Sequence, residues 1–170
     1  MVNIRAASDA DLTAICGVQE HAFGGPQEAR LVAMLHQAGK AVISLVAVRD
    51  GILVGSIVFS RVSIGGAPKE LQALGLAPMA VLPELQRTGI GSELMDEGLK
   101  QCASAGYDAV VVLGDPRFYS RFGFSRASDY GLENEYGAQE EFMVAEPRAG
   151  ALVGVEGLMQ YAPEFRQAGC

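Results

Sequence analysis

Two β-rich apolar runs, Val42 to Val48 and Ile52 to Val62, are joined at Asp50-Gly51. That pair favours a type I′ turn because glycine accepts a positive φ, so the runs are expected as an antiparallel hairpin. Upstream, Val2 to Arg5 reads as a short strand. Ser8 followed by Asp11 resembles a capping box, and a helix with apolar Leu12, Ile15, Val18 and Ala22 is expected from near Asp9. Gly24-Gly25-Pro26 breaks it. Glu28 to Gln37 then returns to helical spacing, with Leu31, Met34 and Leu35 on one side and Gly39 at its close.

A third apolar run, Leu71 to Leu82, ends at Pro83, and a glycine-bearing loop follows, Gln86-Arg87-Thr88-Gly89-Ile90-Gly91. The next helix is expected from Ser92 to about Ala105, stopped by Gly106. Asp108 to Leu113 is continuous and apolar, as a strand buried on both faces would be, and the intervening helix makes it parallel to the run before: a βαβ unit. Pro116 to Arg121 predicts one or two helical turns. Phe142 to Val144 and Val153 to Tyr161 read as two late strands separated by Pro147 and Gly150. No repeat or linker interrupts residues 1–170, so one α/β domain is expected.

Charge and cysteine narrow the function. Thirteen basic and twenty acidic residues give a formal charge of −7, which disfavours nucleic acid and anionic membranes and favours small cations. Cys16, Cys102 and Cys170 are odd in number and lack a CxxC, so neither a disulfide framework nor a metal site is expected. A reducing cytoplasm fits best, and no apolar run approaches the roughly 18 residues of a spanning helix. An oligomer stays open.

The strand-to-helix loop is the candidate for chemistry. Unpaired N–H groups and the helix dipole favour phosphate at a helix N-terminus, and Gly89 and Gly91 remove Cβ atoms that would hold phosphate oxygens away. Arg87 adds a cation. A P-loop needs GxxxxGK[ST], and no lysine follows Gly91; the dinucleotide fingerprint GxGxxG would need glycine where Leu94 stands. Asp108 lies 19 residues after Gly89 but begins a strand, whereas a ribose-binding acid belongs at a strand's end.

Gln86-Arg87-Thr88-Gly89-Ile90-Gly91 instead resembles the Q/RxxGxG/A motif of the GNAT acetyltransferases, and Phe118-Tyr119-Ser120-Arg121-Phe122-Gly123-Phe124 resembles their FYxRFGF element. The order of elements along nearly the whole chain is similar too, and Leu74 to Val81 with Gly114 to Tyr119 is most similar to the YhbS-like branch. The resemblance implies a mixed, mostly antiparallel sheet of about six or seven strands flanked by helices, splayed into a cleft between strands 4 and 5. It implies direct acetyl transfer from acetyl-CoA to an amine, without metal. Pro78 is a poor residue for a central strand, and a bulge or splay there would remove the conflict.

By the same resemblance, backbone groups of Met79, Ala80 and Val81 line the pantetheine arm, Gln86, Arg87, Thr88, Gly89, Ile90, Gly91 and Ser92 cradle the pyrophosphate, and Tyr119 is the acid that assists the departing thiolate. Phe118, Phe122 and Phe124 are expected as core. No base is carried over, because positions that hold glutamate or histidine in many relatives read Gly75 and Ala77; Glu70 and Glu84 flank the strand, Glu84 is expected on the solvated loop before the phosphate turn, and His21 and His36 are expected as ordinary surface or half-buried residues. The acceptor side is expected near His21 to Glu28 and Glu146 to Leu152, with a cationic primary amine as acceptor. A catalytically silent acyl-CoA-binding module is the rival reading.

Overall fold

The computed structural model describes residues 1–66 and 71–170; Glu70 lies outside the described residues. The chain divides into two compact units, Met1–Ser60 with Ala77–Gly98 and Pro163–Cys170, and Arg61–Leu76 with Leu99–Ala162.

In the first unit, β1 (Val2–Ala6) pairs antiparallel with β2 (Ala41–Arg49), and β2 with β3 (Ile52–Gly65). The turn between β2 and β3 has φ of 52° at Asp50 and 77° at Gly51, the two left-handed residues that a type I′ hairpin requires. A 3₁₀ turn at Asp9–Asp11 leads into α1 (Leu12–Phe23). The Asp11 carboxylate accepts from the Ser8 backbone N–H at 2.7 Å and the Ser8 hydroxyl at 3.1 Å, and Arg5 grips it with both terminal nitrogens at 2.8 and 2.9 Å. That arrangement holds the Asp11 carboxyl well below the usual carboxylate range, chiefly through Arg5.

Helix α2 (Gln27–Gln37) ends at Gly39, whose φ is 69°, with the Lys40 N–H reaching back to the Leu35 carbonyl at 2.8 Å. Ile15, Leu31, Val32, Leu35, Leu45, Val46, Ile57 and Val58 are buried in this unit. Each large aliphatic side chain among them contributes about 1.5–3 kcal/mol. Gln19 of α1 is buried by donating to the Ser56 hydroxyl of β3 at 2.8 Å, a polar tie within the apolar layer. Chain-terminal α5 (Pro163–Gln167) adds Phe165 to the core, and Lys40 meets Glu164 at 2.7 Å.

Strands β3 and β4 (Ala73–Val81) and helix α3 (Ile90–Ser104) each run from one unit into the other. Within the first, Gly98 allows α3 to lie against Phe59: a Cβ there would stand 2.6 Å from the ring. Helix α3 begins two residues before the expected Ser92.

In the second unit, β4 runs parallel to β5 (Ala109–Leu113) through only three pairs, Ala73 to Gly75 against Ala109 to Val111. Strand β5 continues to Leu113 against β8 (Phe142–Ala145), while β4 leaves the ladder. This is the expected parting of strands 4 and 5, just before Pro78, whose peptide bond is cis. Asp108 accepts from the Gln72 N–H at 3.0 Å and pairs with Arg148, so it pins the entry to β5.

The two expected late strands do not pair with each other. The last strand, β9 (Gly157–Gln160), begins four residues after Val153, which is 80% exposed; β9 pairs with the end of β3 and with β7 (Leu132–Asn134), whereas β8 pairs with β5 and β6 (Ser125–Arg126). Nine strands are present among the described residues; the β4–β5 and β7–β9 ladders are parallel, and the sheet is otherwise mostly antiparallel. The two- and three-residue strands β6 and β7 are too short for any periodicity to announce them.

Candidate active site

The first unit holds all ten of the expected cofactor-binding positions. After β4 the chain makes a 3₁₀ turn at Pro83–Leu85, and Gln86 folds its side-chain amide back to the Val81 carbonyl at 3.0 Å. The Thr88 hydroxyl donates to the Leu85 carbonyl at 2.6 Å. These bonds tie the loop to the strand and its turn at two points.

Arg87 takes a φ of 63° and Gly89 of 95°, so two left-handed residues turn the chain into α3. For arginine this conformation is uncommon and costs about 1 kcal/mol or more. Such cost persists where the surroundings impose it, often at ligand-binding turns. Among the described residues no backbone carbonyl accepts from the N–H groups of Arg87, Thr88, Gly89, Ile90 and Gly91. Gln86 to Gly89 are exposed, and Ile90, 3% exposed, anchors the helix start. The positive end of a 15-residue helix dipole adds to this row of donors, a combination that favours anionic oxygens. Ser92 sits in the first turn of α3.

Strand β4 supplies a second row. The Leu82 N–H donates to the Val54 carbonyl of β3 at 2.9 Å. Alternation along an antiparallel ladder then turns the backbone of Ala80 toward β3 and that of Met79 and Val81 to the opposite edge. Ala80 and Val81 are buried; Met79 is half-buried.

Tyr119 belongs to the second unit. Asp115 caps the short helix α4 (Pro116–Tyr119) by accepting from the Arg117 N–H at 2.9 Å. The half-buried Tyr119 ring lies against Gly114, where any Cβ would collide with it, and packs edge-on to Phe124 at 5.6 Å and Phe118 at 5.0 Å. Burial pushes its phenol up to about 12, so the group keeps its proton through the neutral range. Of the three phenylalanines expected as core, Phe124 is buried; Phe118 and Phe122 are half-buried, 5.1 Å apart, with the Arg121 guanidinium over both rings. The guanidinium covers what the core does not.

Three residues absent from the sequence-based site stand in the same unit as Tyr119. Tyr161, 8% exposed, lays its ring over Gly75, where a Cβ would be 2.6 Å from the ring and 2.8 Å from Val62. The Glu135 carboxylate accepts from the Tyr161 N–H at 2.7 Å, and the Tyr136 ring lies 6.1 Å from that of Tyr161. Burial raises the Tyr161 phenol well above its ordinary range, with further contributions from Tyr136, Tyr119 and Glu135. The sequence signal was Gly75, a glycine inside an apolar strand, which marks the close approach of another group.

His21 bonds the Gly17 carbonyl at 2.8 Å, His36 meets the Ser44 hydroxyl at 3.1 Å with its pKa lowered by burial, and Glu84 is exposed. A pocket of about 250 Å³ in the second unit is lined by Asn134, Gln139 and Phe142 among others, but the Asn134 amide is committed to the turn beside it. Among the described residues no cluster of three His, Cys, Asp or Glu could hold a metal, and no helix is long and apolar enough to cross a membrane.

Comparison with known proteins follows the same lines. A family model described as an acetyltransferase (GNAT) domain matches residues 3–127. The sequence is 37% identical over 166 residues, 96% of this chain and 98% of the relative, to the Escherichia coli (strain K12) protein named uncharacterized N-acetyltransferase YhbS. The crystal structure of E. coli YhbS in complex with CoA superposes with a TM-score of 0.92 at 36% identity, covering 97% of this chain and 92% of that one. A GNAT family acetyltransferase from Brucella melitensis in complex with acetyl-CoA gives 0.79 at 34% identity, covering 97% and 98%.

Proposed function

Since the chain belongs to the GNAT acetyltransferases and is an acetyl-CoA-dependent acyltransferase, we propose that it moves the acetyl group directly onto an amine of a small molecule or peptide. The observation that carries the reading is the row of backbone N–H groups from Arg87 to Gly91 that opens α3 with no backbone carbonyl as acceptor among the described residues. Pyrophosphate oxygens satisfy such donors, with Gln86 bracing the turn and Arg87 and Ser92 at its ends. The edge presented by Met79 and Val81 pairs with the amides of the pantetheine arm, whereas the backbone of Ala80, expected there too, faces β3.

In the reaction, the neutral amine nitrogen attacks the thioester carbonyl, the C–S bond breaks, and the amine gives its proton to water. The CoA thiolate leaves with a proton or hydrogen bond from the Tyr119 phenol, whose raised pKa keeps that proton in place. Holding both partners in reach supplies much of the acceleration. Residues 1–170 act as one acyltransferase domain in this reading, within a reducing cytoplasm that suits three free cysteines. In the second unit the segment after β8 is a candidate wall for the acceptor, and there the Glu146 carboxylate accepts the Leu152 N–H at 2.9 Å.

Acetyl-CoA is expected to raise the melting temperature by binding the folded state alone, and a panel of primary amines is expected to release free CoA steadily. A melting shift without turnover of any amine would leave the silent acyl-CoA-binding module in its place.

A further inference from the structure

We propose that Gly114 and Asp115 are positioning residues for the proton donor: the glycine leaves the space in which the Tyr119 ring is seated, and the aspartate holds the turn that brings the ring back over it. The inference rests on the reading of Tyr119 as the acid that assists the departing thiolate.

The stretch from Gly114 to Tyr119 folds back on itself. Gly114 extends the pairing of β5 with β8 by one step, its N–H donating to the Glu141 carbonyl at 2.9 Å, so the floor of the seat is fixed to the sheet. The Asp115 carbonyl accepts from the N–H groups of Phe118 and Tyr119, both at 3.1 Å, while its carboxylate accepts from the Arg117 N–H at 2.9 Å. Pro116 opens α4 with a φ already suited to a helix start. Tyr119 is thereby held at the last position of α4 with its ring against Gly114.

A Cβ at position 114 would stand 3.0 Å from Cδ2 and 3.2 Å from Cζ of that ring, and nearer still to Cε2. Carbon atoms pack best at about 3.5–4.0 Å. The ring also meets Phe118 and Phe124 edge-on, at centroid distances of 5.0 and 5.6 Å. A methyl group at position 114 is therefore fitted by moving the ring, and the phenol with it; a displacement of about 1 Å at a reacting group can cost about 10²-fold. The backbone at Gly114 lies outside the left-handed region, so the chain's conformation does not call for glycine there. What glycine supplies is room for the ring.

The test uses the full chain with saturating acetyl-CoA, with n-butylamine, phenethylamine and glycinamide as acceptors and release of free CoA as the signal. Gly114→Ala is expected to lower kcat about tenfold or more while the KM for acetyl-CoA stays within about twofold. Asp115→Ala, at an exposed position, is expected to lower kcat about three- to tenfold, and Asp115→Asn, which keeps an oxygen for the Arg117 N–H, to restore most of it. That pair decides the matter if Gly114→Ala does not fold. Positioning is separated from packing by the background: in Tyr119→Phe, with no phenol left to place, either substitution is expected to lower kcat by less than about twofold more. Unchanged kcat in either folded variant, or an equal loss in the Tyr119→Phe background, while Tyr119→Phe itself is impaired, overturns the proposal alone. A fully active Tyr119→Phe overturns the reading of Tyr119 and the proposal with it. Absence of wild-type turnover with all three amines, while acetyl-CoA still raises the melting temperature, overturns both the proposal and amine transfer.

Discussion

The turn into α3 and the cluster around Tyr119 and Tyr161 are built on opposite plans. The turn is one contiguous stretch, Gln86 to Ser92, and presents backbone N–H groups, with the Gln86 side chain bracing it on the Val81 carbonyl. The cluster draws on Gly75, Gly114, Tyr119, Glu135, Tyr136 and Tyr161, and is built of rings and a carboxylate. A backbone device tolerates many side chains but demands certain φ values. A side-chain device tolerates backbone variation but demands particular atoms.

The largest effect expected from that contrast comes from deleting a single oxygen in the cluster. Tyr119→Phe keeps the ring against Gly114 and Phe124, so the fold and the melting shift with acetyl-CoA are expected to persist while kcat falls about 10²-fold. Steady-state kinetics with a turned-over amine decide it; full activity would reduce Tyr119 to packing. In the turn, by contrast, the sensitive feature is conformation. Gly89→Val places a β-branched residue at a φ of 95°, and titration calorimetry is expected to show CoA binding weakened at least about tenfold, or about 1.4 kcal/mol. Unchanged affinity in a folded variant would detach the turn from the cofactor.

The mildest probe is pH. With the Tyr119 phenol pushed from 10 to about 12 by burial, the folded state holds that proton more tightly than the unfolded chain. The stability this represents is whole below about pH 10 and is lost as pH rises through about 12. Melting temperatures are expected to fall over that window in the wild type and less in Tyr119→Phe. Amine acetylation is expected to rise with pH as the acceptor loses its proton, with no decline near pH 10 of the kind an exposed phenol would impose. A decline at pH 10 that Tyr119→Phe abolishes would place the phenol in water.

Much of the fold was legible because its determinants are local. The β2–β3 hairpin follows from Asp50-Gly51, the stop of α2 from Gly39, and the phosphate-type turn from glycine spacing ahead of a helix. Each is dictated within a few residues by allowed φ values and orphan backbone groups. The sequence by itself therefore determined the first unit's element order, the family resemblance and the row of N–H donors. Only the tertiary structure decided that β8 and β9 seek separate partners, that Phe118 and Phe122 lie half-exposed under Arg121, and that Glu135 and Tyr161 meet. Those outcomes depend on contacts between residues far apart in the chain. A glutamate 26 positions before a tyrosine carries no periodic or steric signature until the β7–β9 ladder sets its register.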